Sequence, residues 1–178
     1  MNDRFNTSPD TLAELDISDR HKVEAAEGHH MMGMYKEAAD EIESIPDERR
    51  NHQSVLHIAC RAYWGLRQIP KAMAYTERFI QVAPHEAFGY VFKAMLLSYM
   101  HKPRESYELL KPVVARFPTH AIMHYDLAGA AVKCGLFSEA RRWLYHAICI
   151  RGSLKKVALK NPAFMEIKSD IEAMNQEN

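Results

Sequence analysis

A period of 34 residues constrains the fold of this 178-residue chain more than any other feature. Small residues recur at that interval, and mostly apolar residues follow each of them four and seven positions later. The three columns are Ala38, Ala72, Ser106 and Ala140; Ile42, Thr76, Leu110 and Leu144; and Ile45, Phe79, Val113 and Ala147. Because spacings of three and four place residues on one stripe of a helix, each repeat is predicted to contain an amphipathic helix.

A second set of columns lies upstream in each repeat and indicates a partner helix that packs closely on the first. The small residues of this set are Ala26, Cys60, Ala94 and Ala128. A turn column follows them at Gly33, Arg67, His101 and Gly135. One such helix pair cannot bury its apolar stripe alone, whereas stacked copies can. We therefore predict an all-α fold of about four helix-turn-helix units.

The columns together form a motif that is most complete in the second repeat. There it consists of Leu56, Ala59, Cys60, Tyr63, Ala72, Thr76, Phe79 and Pro84. The motif resembles that of the tetratricopeptide repeat family, whose period is also 34 residues; Lys93, in a normally apolar position, departs from it. The resemblance implies a right-handed α-solenoid in which the first helix of each pair lines a concave surface. Residues 157–164 are similar to the tail of small bacterial tetratricopeptide proteins, which implies a bacterial source.

The repeat register also predicts the domain organisation. Ser18 or Asp19 is expected to cap the first helix. Helices are predicted at 19–32, 35–45, 52–66, 70–82, 87–100, 104–116, 120–133 and 138–150. We expect a mobile N-terminal arm at 1–17, a solenoid at 18–152 with units at 19–51, 53–86, 87–120 and 121–152, and capping helices and a tail at 153–178. Within that tail, helices are predicted at 153–160 and 163–174, separated by a break at Asn161 and Pro162.

The resemblance places a candidate peptide-binding groove on the first helices. Its residues, carried over by register, are His57, Arg61, Trp64, Phe88, Val91, Met95, Tyr99, Ile122 and Tyr125. Their mostly apolar and aromatic character suits an apolar peptide or an amphipathic helix, which Arg61 would orient. No Lys or Asn stands at the positions with which some family members clamp a terminal carboxylate. The alternative occupant is a segment of this chain or a second copy, because exposed apolar patches rarely stay free.

Charge is balanced overall but unevenly distributed. Residues 1–48 hold 13 acidic and 4 basic side chains, whereas residues 49–178 hold 10 acidic and 19 basic ones. The difference permits a homo-oligomer built from acidic and basic ends, or two differently charged solvated faces. A basic cluster is a candidate contact for RNA or an acidic protein: Arg141, Arg142, Arg151, Lys155, Lys156 and Lys160. We expect no nucleic-acid partner, because the acidic N-terminal third would repel phosphate.

Catalysis, metal binding and membrane insertion find no support in the sequence. His120 and His124, with Asp126 nearby, supply two ligands, which are too few for a closed zinc site, and no phosphate-binding or nucleophile motif occurs. No apolar run reaches the length of about 18 residues that a membrane helix needs. Three cysteines with no C-x-x-C spacing indicate a reducing, cytoplasmic compartment. We therefore expect no enzyme, no cofactor and no membrane partner.

These observations favour a non-catalytic scaffold or adaptor that binds an apolar segment of another protein. Two alternatives stay open. One is a structural protein that assembles with itself. The other is a chaperone-like protein for a secreted substrate, of the kind that small bacterial tetratricopeptide proteins provide.

Overall fold

The computed structural model describes residues 15–174, and every regular element in that range is a helix. The α-helices are α1 (Ile17–Met31), α2 (Tyr35–Glu43), α3 (Gln53–Gly65), α4 (Ile69–Val82), α5 (Ala87–Tyr99), α6 (Pro103–Leu110), α7 (Ala121–Lys133), α8 (Phe137–Ile150), α9 (Ser153–Lys160) and α10 (Lys168–Ala173). Short 3₁₀ helices occupy Asp47–Arg49, Val114–Arg116 and Pro162–Ile167. The predicted all-α class is confirmed.

The chain divides into two compact units, an N-terminal unit of Met1–Gly89 and a C-terminal unit of Tyr90–Asn178. The N-terminal unit is built from α1 to α4 and the first turn of α5. The C-terminal unit holds the rest of α5 and α6 to α10. The predicted arm at 1–17 lies mostly outside the described residues; of its last three residues Leu15 is buried, Asp16 caps α1 and Ile17 is the first residue of that helix. No helix between residues 15 and 174 is long and apolar enough to cross a membrane.

The small-residue columns form the helix contacts that the period predicts. All members of both small columns are at most 1% exposed, because each lies where two helices approach. The column that begins at Ile42 is fully buried in all four repeats. Its polar member, Thr76, satisfies its hydroxyl by donating to the Ala72 carbonyl at 2.6 Å. The core therefore repeats with the sequence. A buried threonine is accommodated because a carbonyl of its own helix accepts the hydrogen bond from its hydroxyl.

The turn column ends the first helix of every pair in the same way. Gly33, Arg67, His101 and Gly135 have φ angles of 77°, 59°, 57° and 75°. After each of them, the N–H of the following residue donates to the carbonyl five residues before that donor, as the Met34 N–H does to the His29 carbonyl at 2.9 Å. This pair of features defines the Schellman motif, which satisfies the last carbonyls of the helix and reverses the chain. The 34-residue period is thus a period of backbone conformation as well as of packing.

A carboxylate joins three helices of the N-terminal unit. Glu43, at the end of α2, accepts hydrogen bonds from the hydroxyls of Tyr63 on α3 and Tyr75 on α4, the latter at 3.1 Å. Arg50 pairs with the same carboxylate at 2.5 Å and donates to the Ile45 carbonyl at 2.6 Å. The network fixes the segment that follows α2, where Pro46 ends any helical continuation.

Three local predictions were wrong, each for a physical reason. The cap of α1 is Asp16, whose Oδ1 accepts from the Asp19 N–H at 2.8 Å, while the Asp19 carboxylate is buried against Arg49 at 3.0 Å. Helix α6 ends at Leu110 instead of 116, because Pro112 lacks an N–H and cannot continue it. The tail helix predicted at 163–174 starts as a 3₁₀ turn, in which Phe164 and Ile167 eclipse each other and are both buried.

Candidate protein-interaction face

In the N-terminal unit, one face of α1 and α3 brings several of the predicted groove residues together. We call it the α1–α3 face and define it by Glu27, His30, His57, Arg61, Trp64 and Phe88. His57, Arg61 and Trp64 share one side of α3 because they are four and three residues apart. Glu27 and His30 occupy the matching side of α1. Phe88 joins them from the first turn of α5.

A guanidinium lies at the centre of this face. Arg61 Nη2 lies 3.2 Å from His30 Nδ1, and Nη1 lies 3.6 Å from Glu27 Oε1. Burial lowers the pKa of Arg61, and the nearby Glu27 carboxylate opposes that shift. Burial and the Arg61 charge lower the pKa of His30 to about 4. At neutral pH the cluster therefore holds one ion pair and a neutral imidazole.

His57 acts here as an aromatic packing residue. It is only 3% exposed, and its ring centroid lies 4.1 Å from that of Phe88 and 6.3 Å from that of Phe79. Burial, followed by the charges of Arg61 and His30, lowers its pKa to about 3. The imidazole is consequently neutral over the physiological range. Phe79 and Phe88 complete the cluster edge to face at 4.8 Å.

Trp64 extends the aromatic surface by one turn along α3. Its indole is half-buried, and the Arg67 guanidinium lies 5.0 Å from the ring centroid. An amphipathic ring that remains partly accessible beside a cation is typical of an anchor for a partner's side chain. The α1–α3 face thus combines a partly exposed indole with the phenyl ring of Phe88 and a guanidinium.

In the C-terminal unit, the chain itself covers part of the predicted groove. The Phe164 ring packs edge to face on Tyr125 at 5.1 Å, and Asn161 Nδ2 donates to the Tyr125 hydroxyl at 2.9 Å. Phe164 also reaches Gly129, where a Cβ atom would lie 3.7 Å from its Cζ. Tyr125 and Ile122 are both buried. A segment of this chain, one of the occupants left open by the sequence, therefore lies on this stretch of α7.

The remaining predicted residues lie on α5 and differ in exposure. Val91 is buried, Met95 is half-buried, and Tyr99 is 50% exposed. The structure thus brings His57, Arg61 and Phe88 into contact or close approach, with Trp64 beside them. A single continuous groove through all nine residues stays a prediction.

Sequence reasoning missed the side chains that pack against the predicted residues. Phe79 belongs to a second helix, so the register rule for first helices passed over it. Phe164 was predicted on the apolar stripe of a capping helix, three residues before Ile167 and seven before Ile171, but its contact with Tyr125 on α7 was not predicted. Asn161 was treated only as a helix breaker, yet its side chain also accepts from the Ala163 N–H at 3.0 Å.

His120 and His124, the two histidines considered as metal ligands, are both close to backbone polar groups. His120 Nδ1 accepts from the Met123 N–H at 3.2 Å and so caps α7, and His124 Nε2 lies 3.1 Å from the Pro118 carbonyl oxygen. Within residues 15–174, no group of three or more His, Cys, Asp or Glu side chains is arranged to hold a metal ion. Their positions are explained by capping and packing.

Comparison with known proteins identifies structural relatives only. No family model matches this chain, and neither does any curated protein. A crystal structure of MamA protein superposes with a TM-score of 0.74 at 12% identity, covering 90% of this chain and 89% of that one. MamA AMB-1 gives 0.67 at 18% identity over 89% and 95%, and MamA MSR-1 gives 0.66 at 23% over 89% and 92%. The likeness shows a tetratricopeptide-like helical fold, as the repeat period predicts.

Proposed function

We propose that this chain is a non-catalytic scaffold that binds an apolar peptide or an amphipathic helix on the α1–α3 face. One observation carries the proposal: a half-buried indole, the half-buried phenyl ring of Phe88 and a guanidinium share a single face of the N-terminal unit, with Phe79 packed behind Phe88. Aromatic and Arg side chains dominate the binding energy of protein interfaces. The tetratricopeptide-like fold supports the same function.

The ligand would contact Trp64 and the exposed part of Phe88. Burying these rings contributes about 25 cal/mol per Å² of apolar area, before the cost of ordering the ligand. Arg61 would pair with a carbonyl or carboxylate of the ligand and set its direction. Tyr125 is covered by Phe164 and is therefore not among the proposed ligand contacts. The unpaired state of all three cysteines is compatible with the reducing, cytoplasmic compartment that forms part of this proposal.

The test exploits the fact that the chain has 2 tryptophans. Trp64→Ala removes the anchor, whereas Trp143→Ala removes an indole of α8 that lies under Arg142 and is no part of the α1–α3 face. Affinity capture and mass spectrometry should find partners with the wild type and with Trp143→Ala but not with Trp64→Ala. Helical circular dichroism should be the same in all three. Partners retained by Trp64→Ala would refute the proposal.

A direct binding measurement then assigns the contact. In a Trp143→Phe background Trp64 is the sole indole, so its emission reports on the α1–α3 face alone. A captured partner's apolar segment, made as a synthetic peptide, should shift that emission in a saturable way. Arg61→Met should weaken the binding by roughly tenfold, the loss of one charge-assisted hydrogen bond.

A further inference from the structure

The C-terminal unit has a second apolar surface, which is separate from the groove predicted by register. It is an open depression of about 640 Å³ beside α9, lined by Ser153, Lys156, Val157, Lys160, Asn161 and Pro162. We call it the α9 depression. Val157 is 48% exposed within it, while Leu154 and Ala158 hold the opposite side of α9 in the core. A capping helix with only a solvent role would not need an apolar side chain on its outer face.

The basic cluster noted in the sequence separates into two sets. Arg141 pairs with Asp170 at 3.1 Å, Arg142 lies over the Trp143 ring at 4.7 Å, and Lys155 donates to the Glu172 carbonyl at 3.1 Å. Arg141 and Lys155 thus tie α8 and α9 to α10, and Arg142 packs within α8. Arg151 is exposed at the end of α8, outside the depression. By contrast, the side chains of Lys156 and Lys160 form no hydrogen bond or ion pair with any residue in the described range 15–174. Both lysines line the α9 depression, so two positive charges without a neutralising partner lie at the edge of its apolar surface.

The N-terminal unit exposes a surface of complementary character at the turn between α1 and α2. Met31 is 75% exposed, Met32 67% and Met34 38%, which makes this turn the most exposed apolar segment described in that unit. Glu37, in the first turn of α2, is exposed beside it. The Schellman motif at Gly33 holds the methionines outward on a tight backbone turn.

Charge favours a second copy as the occupant. Residues 1–89 hold 15 acidic and 10 basic side chains, and residues 90–178 hold 8 acidic and 13 basic ones. The two units of one chain therefore have opposite net charges of equal size, which attracts the N-terminal unit of one copy to the C-terminal unit of another. A nucleic acid is disfavoured because, among residues 15–174, no aromatic side chain lines the α9 depression to stack a base. A planar lipid surface fits a concave site less well than a projecting turn does.

We propose that the α9 depression of one copy receives the α1–α2 turn of a second copy. Unbranched methionine side chains adapt to an irregular apolar depression. Glu37 pairs with Lys156 or Lys160 at the rim and sets the orientation. The two surfaces differ, so the contact is heterologous and each copy keeps one free turn and one free depression. Assembly therefore continues from copy to copy.

The oligomeric state of the full chain tests this interface by analytical ultracentrifugation over a range of protein concentrations. The wild type should form oligomers at low salt and dissociate as salt screens the rim charges. Lys156→Glu should weaken association at least tenfold. Lys133→Glu is the matched control, because it reverses an exposed lysine of α7 outside the depression. Met31→Ser with Met32→Ser should also give monomers, with unchanged circular dichroism at 222 nm.

Mixing variants provides the decisive experiment. Lys156→Glu retains an intact turn, and the double methionine variant retains an intact depression. Each alone should be monomeric, whereas an equimolar mixture should form a dimer and nothing larger. A wild type that stays monomeric at low salt, equal effects of Lys156→Glu and Lys133→Glu, or no dimer in the mixture would each overturn the proposal.

Two further outcomes would reassign the site. A monomeric chain that binds a Met- and Glu-containing synthetic peptide, or vesicles with anionic lipid, would overturn the second copy as occupant in favour of that partner. The interface does not use the α1–α3 face, so Trp64→Ala should assemble like the wild type. Failure of the assembly experiment therefore leaves the proposed peptide binding untouched.

Discussion

Replacing Gly33 with alanine tests whether the repeating backbone conformation contributes to stability. Gly33 has a φ of 77°, and no atom lies within 4 Å of where its Cβ would be. Any effect of Gly33→Ala therefore comes from the backbone and not from a clash. Gly28 offers a matched control in the same unit. It lies inside α1, in regular helix, and its Cβ would also meet nothing within 4 Å.

The two substitutions should change the free energy of unfolding in opposite directions. A non-glycine residue in the left-handed region costs about 1–2 kcal/mol. Alanine recovers roughly 0.4–1 kcal/mol of that, because it restricts the unfolded chain. We expect Gly33→Ala to destabilise by about 1 kcal/mol on these values. Gly28→Ala should stabilise by roughly 0.5–1 kcal/mol, since alanine is the better residue in a helix interior.

Urea unfolding followed by circular dichroism at 222 nm measures both changes. The chain also offers the reverse substitution, because His101 holds the same conformation at φ 57° without being glycine. His101→Gly should raise the urea midpoint. The reasoning is refuted if Gly33→Ala is at least as stable as the wild type, or if Gly28→Ala and Gly33→Ala shift the midpoint in the same direction.

Substitutions at three further positions test the core and the surfaces predicted to form the groove. Folded His57 has a pKa of about 3 because it is buried near two basic groups, and unfolded histidine titrates near 6.5. The unfolded chain therefore takes up the proton first, and stability falls from about pH 6.5 downward. At about pH 5 His57 contributes about 2 kcal/mol to this loss, and His57→Leu should remove that contribution from urea midpoints measured against pH, while His30, whose pKa is about 4, keeps its own. Gly129→Ala should be tolerated, since its Cβ would lie 3.7 Å from Phe164, whereas Gly129→Met should displace that ring and make the tail sensitive to limited proteolysis. Glu43→Gln should reduce the free energy of unfolding by about 1–2 kcal/mol and so lower the urea midpoint, because Tyr63 and Tyr75 lose a charged acceptor.

The helix architecture was predictable because the signal is repeated. All eight helices expected from the period are present, and each begins within two residues of its predicted start. A single small residue such as Ala72 could be explained in many ways. Four small residues at equal spacing are explained by one feature, the close approach of two helices in every repeat. The same periodicity placed Gly33 and Gly135 at turns, and the structure extends that conformation to Arg67 and His101, where residue type gives no sign of it.

Local competition among side chains was not predictable from the period. Asp16 and Asp19 are both good helix caps, and the choice between them depends on Arg49, which lies 30 positions beyond Asp19 and pairs with its buried carboxylate. The early end of α6 was a missed local signal, because Pro112 stands in the sequence where the helix stops. The two predictions were therefore wrong for different reasons. The cap of α1 depends on a contact across a long sequence separation, whereas the end of α6 depends on a single proline.

The candidate face shows why register locates a position without deciding its occupant. Arg61 and Gly129 are equivalent, two periods apart. Gly129 has no side chain, so Phe164 approaches the backbone of α7 and seals that stretch with the chain's own tail. Arg61 fills the same register position on α3 with a guanidinium held between His30 and Glu27. On the proposed function, an aromatic ring of a ligand would there lie beside the cation, over Trp64, and would not reach the helix backbone. One glycine therefore separates a surface that the chain closes for itself from one that, on the proposed function, binds a partner.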